Sequence, residues 1–554
     1  MKRWLLSIVV VISFFSSGNC QSWLWAKGAS GTGFATISAD SFGHIYATGA
    51  FRSPIMTFGS STVINNASDS TVDIFLVKYD AFGNVLWAKS AGGVGNDVAV
   101  SVTTDRSGNA YTLGAVTSHT VTFDAVTLPY LGDADNDLFI AKYDSSGHLI
   151  WAKNFGGGNF DGDIDPASIS VDGLGNVYVA GIFSSAWVTF GATTLFNSAG
   201  ATMFLVKFSP SGDAIWAKAV PGGAGYYVSS AIDTMGHIYV TGTFGSTVSF
   251  DAISMFSNGS FDMFLAKYDT SGNIIWAKNY GTTDAEYGNY VATDIKGNVY
   301  LTGWFHGPAF PLGSDTLVNS YSPATDYYIA KFDSSGNVLW ARSSIGPGNS
   351  DLSALTVDNS GNVYSSGTFY GADITFGSDT LHNGTVGARA LFVTKYDALG
   401  DNVWAIGADG IGGGGLGCIA QNVLGQVYLT GAFSSSFLTL GGTTLTGTNR
   451  SQYFIARLDT ALHHTNSLPA IIGRTNGINI FPNPNTGQMT VQLNTTGVTG
   501  LQVYDCLARQ LFTTTLTGTE TTTQIDLQNI PSGLYYLHAT GSALNENIPF
   551  VVSR

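Results

Sequence analysis

Short stretches in which apolar and polar residues alternate with a period of two run through most of the chain, separated by Gly, Asp, Asn and Ser. In Phe75-Leu76-Val77-Lys78-Tyr79-Asp80, residues 75, 77 and 79 face one way and 76 and 78 the other, and both faces carry apolar groups. A strand of this kind needs cover on both sides, as it has in a sheet packed between two other sheets.

Three patterns recur seven times each. Trp-Ala-Lys centres on Trp25, Trp87, Trp151, Trp216, Trp276, Trp340 and Trp404, 60 to 65 residues apart. Gly-Asn-Val-Tyr-x-x-Gly-x-Phe places Tyr46, Tyr111, Tyr178, Tyr239, Tyr300, Tyr364 and Tyr428 three residues before a Gly. Phe-x-x-Lys-Tyr-Asp carries Lys78, Lys142, Lys207, Lys267, Lys331, Lys395 and Arg457. Upstream of each Tyr lies a run of small residues such as Val98 to Thr104, suited to an innermost strand where units converge. With strands named a (small), b (Tyr), c (Lys) and d (Trp), each repeat predicts one four-stranded unit. The first d strand, Ser22 to Lys27, precedes any a strand, and the last c strand, Tyr453 to Asp459, has no Trp strand after it. The count balances if these two pair, which closes a ring and removes the exposed edges. The fold predicted is all-β: a seven-bladed β-propeller over residues 21–462, closed by the N-terminal strand.

These motifs resemble the bacterial SBBP-type β-propeller repeat. The resemblance covers about four fifths of the chain and implies a fold without implying one activity.

Beyond a linker at 463–476, residues 477–554 leave the repeat. Strands are predicted at Gly477 to Phe481, Met489 to Leu493, Gly500 to Asp505, Gln510 to Leu516, Gln524 to Leu527, Gly533 to Ala539 and Ile548 to Val552, which suits a small Ig-like β-sandwich. The segment Phe481-Pro482-Asn483-Pro484-Asn485-Thr486-Gly487, with Val503-Tyr504-Asp505, Ile525-Asp526-Leu527 and Pro531 to Leu537, resembles the type A C-terminal sorting domain of the type IX secretion system. It departs from that pattern at Cys506 to Arg509 and at the last five residues. The resemblance implies type IX secretion machinery as partner, passage across a Gram-negative outer membrane, and release or surface anchoring once the tail is removed.

At the other end, Met1-Lys2-Arg3, an apolar stretch from Trp4 to Phe15 and Gly18-Asn19-Cys20 read as a signal peptide over 1–20, cleaved before Gln21. A lipoprotein reading would instead put Cys20 first in the mature chain. No later segment is apolar for long enough to span a membrane.

Composition sharpens this picture. Gly takes 69 of 554 positions, charged residues are 11% and aromatic residues 13%, a profile of many strands joined by tight turns rather than helices or disorder. A net charge of −15 opposes nucleic acid as a partner. Much of the acidity serves turns of the form Asp-x-x-Gly, such as Asp105 to Gly108, where Asp accepts backbone N–H bonds. No 12-residue ligand pattern ending in Glu follows these turns, so calcium is not expected. Neither a zinc spacing nor GxSxG, HExxH or GxxxxGK[ST] occurs, and no metal, cofactor or catalytic residue is assigned. The basic residues of strands c and d read as solubilising edges and partners for turn Asp residues.

Alternating strand directions put the a–b and c–d turns on one face and the b–c and d–a connections on the other. The second face, with the longer segments, is where a ligand is expected. Candidate residues there are Asp97, Asp163, Asp165, Tyr226, Tyr227, Glu286, Tyr287 and Asp351, with a glycan or a protein as ligand. The chain is expected to be a monomer that acts as a secreted or surface-displayed binding module. A purely structural surface protein, or a hydrolase or lyase acting on polysaccharide with a carboxylate pair on that face, are the alternatives.

Overall fold

The computed structural model describes residues 23–458 and 478–552, apart from 30–34, 67–70, 132–135, 159–163, 198–199, 226, 320, 323, 385–387, 413–417, 424, 448–450, 482–487, 494–496, 506–509, 528–532 and 542–543. The expected signal peptide, the linker, Asp163, Tyr226, Pro482, Asn483, Pro484 and Gly487 lie outside the described residues. Contacts divide the chain into two compact units, one of which is Gln21–Leu462, and the other holds the C-terminal segment from His463.

The first is all-β and propeller-like. Its a strands are Ala35–Ala39, Asp97–Thr104, Ile164–Val171, Ser229–Ile232, Glu286–Thr293, Ser350–Val357 and Ile419–Gln421. Each begins an antiparallel sheet in the order a-b-c-d, for example Glu286–Thr293, Val299–Phe305, Asp326–Phe332 and Val338–Ser343. Each a strand touches the a strands of the units before and after it, and the last, Ile419–Gln421, touches the first. The expected closing pair is present: Trp23–Ala29 runs antiparallel to Gln452–Leu458, with Trp25 opposite Arg457. That is the register of the other sheets, where Lys78 faces Trp87 and Lys331 faces Trp340.

The Asp-x-x-Gly turns behave as their chemistry requires. Asp105 Oδ1 accepts the Ser107 and Asn109 backbone N–H groups at 2.9 and 3.0 Å, and Gly108 takes φ 76°. Asn109 Nδ2 donates to the second carboxylate oxygen at 2.8 Å, and His44, His148 and His237 occupy the same role in their own repeats.

The b–c connections differ from expectation. The longer segments expected there contain β-hairpins, such as Ile55–Phe58 with Ser61–Ile64 and Thr120–Phe123 with Val126–Pro129. Their tips are tight turns at Gly59, Asp124, Gly191, Asp251, Gly313, Gly377 and Gly441, all with φ between 49° and 67°. The inward side chains, Met56, Phe58 and Val63 in the first hairpin, enter the core shared with the preceding unit. Burial of each is worth about 1.5–3 kcal/mol. The Gly-rich d–a segments are packing surfaces for these hairpins: a Cβ on Gly93 would overlap the Thr120 carbonyl oxygen, and one on Gly157 that of Trp187.

The basic residues of strand c are not solvating edges either. Lys78, Lys142, Lys267, Lys331 and Lys395 are buried, each over the Tyr ring of its own b strand at 4.7 to 5.1 Å. Burial pulls Lys78, Lys267, Lys331 and Lys395 below the usual lysine range. Lys331 Nζ donates to the Ala398 carbonyl in the next unit at 3.1 Å, and Trp340 Nε1 donates to the same oxygen at 3.2 Å. Lys78 and Trp87 converge in this way on Ser145, Lys207 and Trp216 on Thr270, and Lys267 and Trp276 on Ser334. The recurring Trp, Tyr and Lys thus form one clamp between units, anchored on the c–d turn of the neighbour.

The C-terminal unit has two antiparallel sheets, one of three strands (Ile478–Phe481, Gln488–Leu493, Thr522–Asp526) and one of four (Gln510–Thr515, Val498–Asp505, Gly533–Gly541, Leu544–Val552). One apolar core, including Ile478, Val491, Leu501, Ile525 and Leu537, draws on both. The seven expected strands are all found, the last starting four residues earlier than predicted. Among the described residues no helix is long and apolar enough to cross a membrane.

Candidate functional site

A cavity of about 490 Å³ lies among the a strands. All seven contribute to its wall, through Thr36, Val100, Ser168, Ser229, Asn289, Leu355 and Ile419 among others. In several units a β-bulge in strand a aims an additional side chain inward: Val100 in one and Asn289 in another occupy the shifted position. The wall combines aliphatic groups with hydroxyls, one amide, Tyr227, Tyr290 and Cys418. Burial pushes the Cys418 thiol up to about 12, so it behaves as a small apolar group. Two residues of the wall each carry an oxygen that is buried without a hydrogen-bond partner and closed to the cavity, Thr36 Oγ1 and Asn289 Oδ1. Ser168 and Ser230, by contrast, bond to each other at 2.8 Å.

Tyr227 joins this cavity to an aromatic cluster on the d–a and b–c face. Its ring lies 6.2 Å from Tyr287 and 6.5 Å from Trp304, both edge-on. Tyr287 stacks on Trp304 at 3.6 Å, with Phe261 at 5.8 Å from Tyr287 and His306 at 5.1 Å from Trp304. Gly303, next to Trp304, is required by close approach, since a Cβ there would overlap the Tyr287 carbonyl oxygen. Tyr227 is 49% exposed and holds φ 65°, a left-handed conformation that is unfavourable for a bulky residue.

Of the sequence-derived candidates, the structure brings Tyr227 and Tyr287 together. Asp97 and Glu286 are elsewhere in role: both are fully buried and fasten their own loops. Asp97 accepts from Gly93 N at 2.8 Å, Ser118 Oγ at 2.6 Å, and the Thr117 and Ser118 backbones at 3.2 Å. Glu286 accepts from Thr282 N and Oγ1 at 2.8 and 2.6 Å. Burial raises the pKa of each. They are therefore not displayed to a ligand, because a carboxylate at the start of a buried strand must be satisfied internally. Asp165 lies in strand Ile164–Val171 and Asp351 in Ser350–Val357, and the described part of each is its backbone. Phe481 of the sorting motif ends strand Ile478–Phe481 and is 47% exposed.

Trp304 and His306 escaped the sequence reading. The signal was available: the residue between Gly and Phe in that motif is Ala, Ile or Thr in the other six repeats and Trp only here. The opposite face is also less bare than expected, with a cavity of about 480 Å³ lined by Arg106, Leu174, Met235 and their turns. Among the described residues no three or more His, Cys, Asp or Glu side chains converge as a metal site.

Residues 479–552 match the family described as secretion system C-terminal sorting domain. The tail is a secretion-system sorting domain. It supports export of this chain by the type IX route. An uncharacterized WD repeat-containing protein of Acanthamoeba polyphaga mimivirus is 26% identical over 411 residues, 62% of this chain and 30% of the relative. The regulatory protein FlaEY of Caulobacter vibrioides is 27% identical over 110 residues, 20% of this chain and 12% of that one. The chain thus spans less than a third of the length of these curated relatives. Among solved structures, Sqt1 from Chaetomium thermophilum aligns over 79% of this chain and 98% of its own at 8% identity, with a TM-score of 0.35.

Proposed function

We propose that this chain is an exported, seven-bladed β-propeller of SBBP type that acts as a non-catalytic binding module at the cell surface, carried there by an Ig-like type IX sorting tail after a Sec signal peptide is removed. The observation that carries the binding reading is the aromatic cluster of Tyr227, Tyr287 and Trp304 at the edge of a cavity walled by all the a strands. Concave sites with apolar walls and a few convergent polar groups are where proteins take small ligands. The described residues of the wall offer contact area and hydrogen bonds rather than an acid and a base, which favours binding over hydrolysis.

Two measurements test this. Cell fractionation should find the full chain outside the outer membrane and a chain lacking residues 477–554 retained in the periplasm; equal surface display of both would refute the export reading. Immobilised glycans and extracellular-matrix proteins should retain the full chain, and Trp304→Ala should lower that retention about tenfold or more, the loss expected of one aromatic anchor. Retention unchanged by Trp304→Ala would move the site elsewhere.

A further inference from the structure

We infer a further binding site, independent of the reading above and on the opposite face: the cavity of about 480 Å³ there takes a carboxylate carried beside a bulky apolar group, with Arg106 as its anchor. The cavity lies where strands Asp97–Thr104, Ile164–Val171 and Ser229–Ile232 end and their a–b turns begin. Arg106 is exposed at the second position of the first of these turns, and among the described residues no ion pair or hydrogen bond engages its guanidinium. Its head group lies across the turn of the next unit: a Cβ on Gly173 would stand 3.2 Å from Arg106 Cζ and 3.2 Å from Nη2. The turn itself does not call for Gly at that place, which is Ser41, Thr234, Ile295, Asn359 or Val423 in other units, and the left-handed residue is Gly175 at φ 84°. The missing Cβ at 173 therefore serves the guanidinium, which is laid down in advance and loses less freedom on binding than a side chain in open water.

The surrounding charge selects the ligand. Asp105, Asp172 and Asp233 also line the cavity, but each is already saturated. Asp172 accepts from Leu174 N, Asn176 N, Asn176 Nδ2 and Tyr178 Oη at 2.8 to 3.2 Å, and the other two carboxylates have the same four kinds of donor, with His237 in place of Asn for Asp233. Each is also matched by a lysine of its own unit. Lys142 Nζ is 3.7 Å from Asp105 Oδ2, and Lys207 and Lys267 lie over the Tyr178 and Tyr239 rings whose hydroxyls donate to Asp172 and Asp233. Arg106 is then the uncompensated charge, and it offers donors without an acceptor. One guanidinium suits a monoanion with two coplanar oxygens, a carboxylate, better than a phosphate dianion. The apolar half of the ligand follows from the neighbouring turn tips, where Leu174 is 83% and Met235 76% exposed beside the same cavity. A bare anion leaves both in water, whereas an apolar group next to the carboxylate covers them, and Met adapts to its shape.

Calorimetric titration of the purified full chain tests this with four probes: an acetylated phenylalanyl-leucine dipeptide as the free acid, the same dipeptide as its amide, octanoate, and octyl phosphate. The free acid should bind, and the amide about tenfold or more weakly. Arg106→Gln should bring the acid down to the level of the amide. Gly173→Ala, which keeps the charge but displaces the guanidinium, should weaken the acid about threefold or more. Both positions are exposed, so the melting temperature should not change. Tighter binding of octanoate than of the dipeptide acid, with the same dependence on Arg106, supports the site with a free acid as its source; the reverse order supports it with a peptide terminus. Equal binding of acid and amide, or preference for octyl phosphate, overturns the ligand class. Acid binding indifferent to Arg106→Gln overturns the placement, and a chain that binds none of the four probes overturns the site.

Discussion

The units made from one continuous stretch of chain and the unit assembled from both ends use the same register but not the same clamp. In the continuous units the indoles of Trp87, Trp151, Trp216, Trp276 and Trp340 each donate to a c–d turn carbonyl of the next unit at 3.1 to 3.3 Å. At the two junctions of the composite unit, the Trp404 and Trp25 indole nitrogens are buried and unpartnered. On one side, the c and d strands that Trp404 would address, Gln452–Leu458 and Trp23–Ala29, come from opposite ends of the chain, so no c–d turn joins them. On the other, Tyr428 Oη and Arg457 Nη1 take the Ala81 carbonyl at 3.1 and 3.3 Å, and the Trp25 indole is left out. Closing a ring with a strand from the other end of the chain therefore reproduces the sheet but not the bonds that depend on a turn. The composite unit is where the ring should open first.

The largest expected effect comes from deleting residues 23–29. The strand buries Trp23, Ala26 and Ala29, and its loss exposes an edge, so stability should fall by several kcal/mol, at about 1.5–3 kcal/mol for a large buried side chain such as Trp23. A melting curve for the truncated chain matching that of the full chain would break the comparison at its root.

A medium effect is expected from pH. Burial lifts Asp73 and Asp137, at the start of their c strands, to about 6 and Asp326 to about 7, against ~3.9 in an unfolded chain. Because the folded value is the higher, the contribution of these groups is complete below about pH 4 and is lost as pH rises through their folded values. The composite unit has Gln452 at this position and two continuous units have Thr202 and Ala390, so alkaline destabilisation belongs to the units that carry Asp73, Asp137 and Asp326. Melting temperature should fall between about pH 5 and about pH 8, and Asp326→Asn should reduce that fall. A profile identical with and without Asp326→Asn would remove this asymmetry.

The smallest effect is the most specific. Trp340→Phe and Trp404→Phe lose similar volume, but only the first loses a hydrogen bond. Denaturant unfolding should show Trp340→Phe to be the more costly by about 1 kcal/mol. Equal costs would mean that the indole bond contributes nothing to the clamp.

Regions differ in how much of them was legible beforehand. Strands a to d, the Asp-x-x-Gly turns and the closing pair were readable because each is written in contiguous residues or in a count. The hairpins are also written in the chain, as the recurring Val121-Thr122-Phe123-Asp124, Val188-Thr189-Phe190-Gly191 and Ile374-Thr375-Phe376-Gly377. The clamp could not be read in this way. Its donors and acceptor, such as Lys331 and Ala398, are 67 residues apart, and a Lys in a period-two strand looks the same whether its tip reaches water or a neighbour's carbonyl.

For the candidate site the division is similar. Sequence pointed to Tyr227 and Tyr287 through topology, because alternation of strand direction fixes which connections share a face. It grouped Asp97 and Glu286 with them for the same reason, and the fold buried those two instead at the start of their a strands, where each is bonded by loop N–H groups and hydroxyls. The sequence by itself determined the repeating strands, their order, the chemistry of their turns and the address on the tail, all of which depend on local pattern. Only the tertiary structure decided which polar atoms find partners, because that depends on what a neighbouring unit brings within about 3 Å. Thr36, Asn289, Trp25 and Trp404 are left without one by that arrangement and by nothing in their own segments.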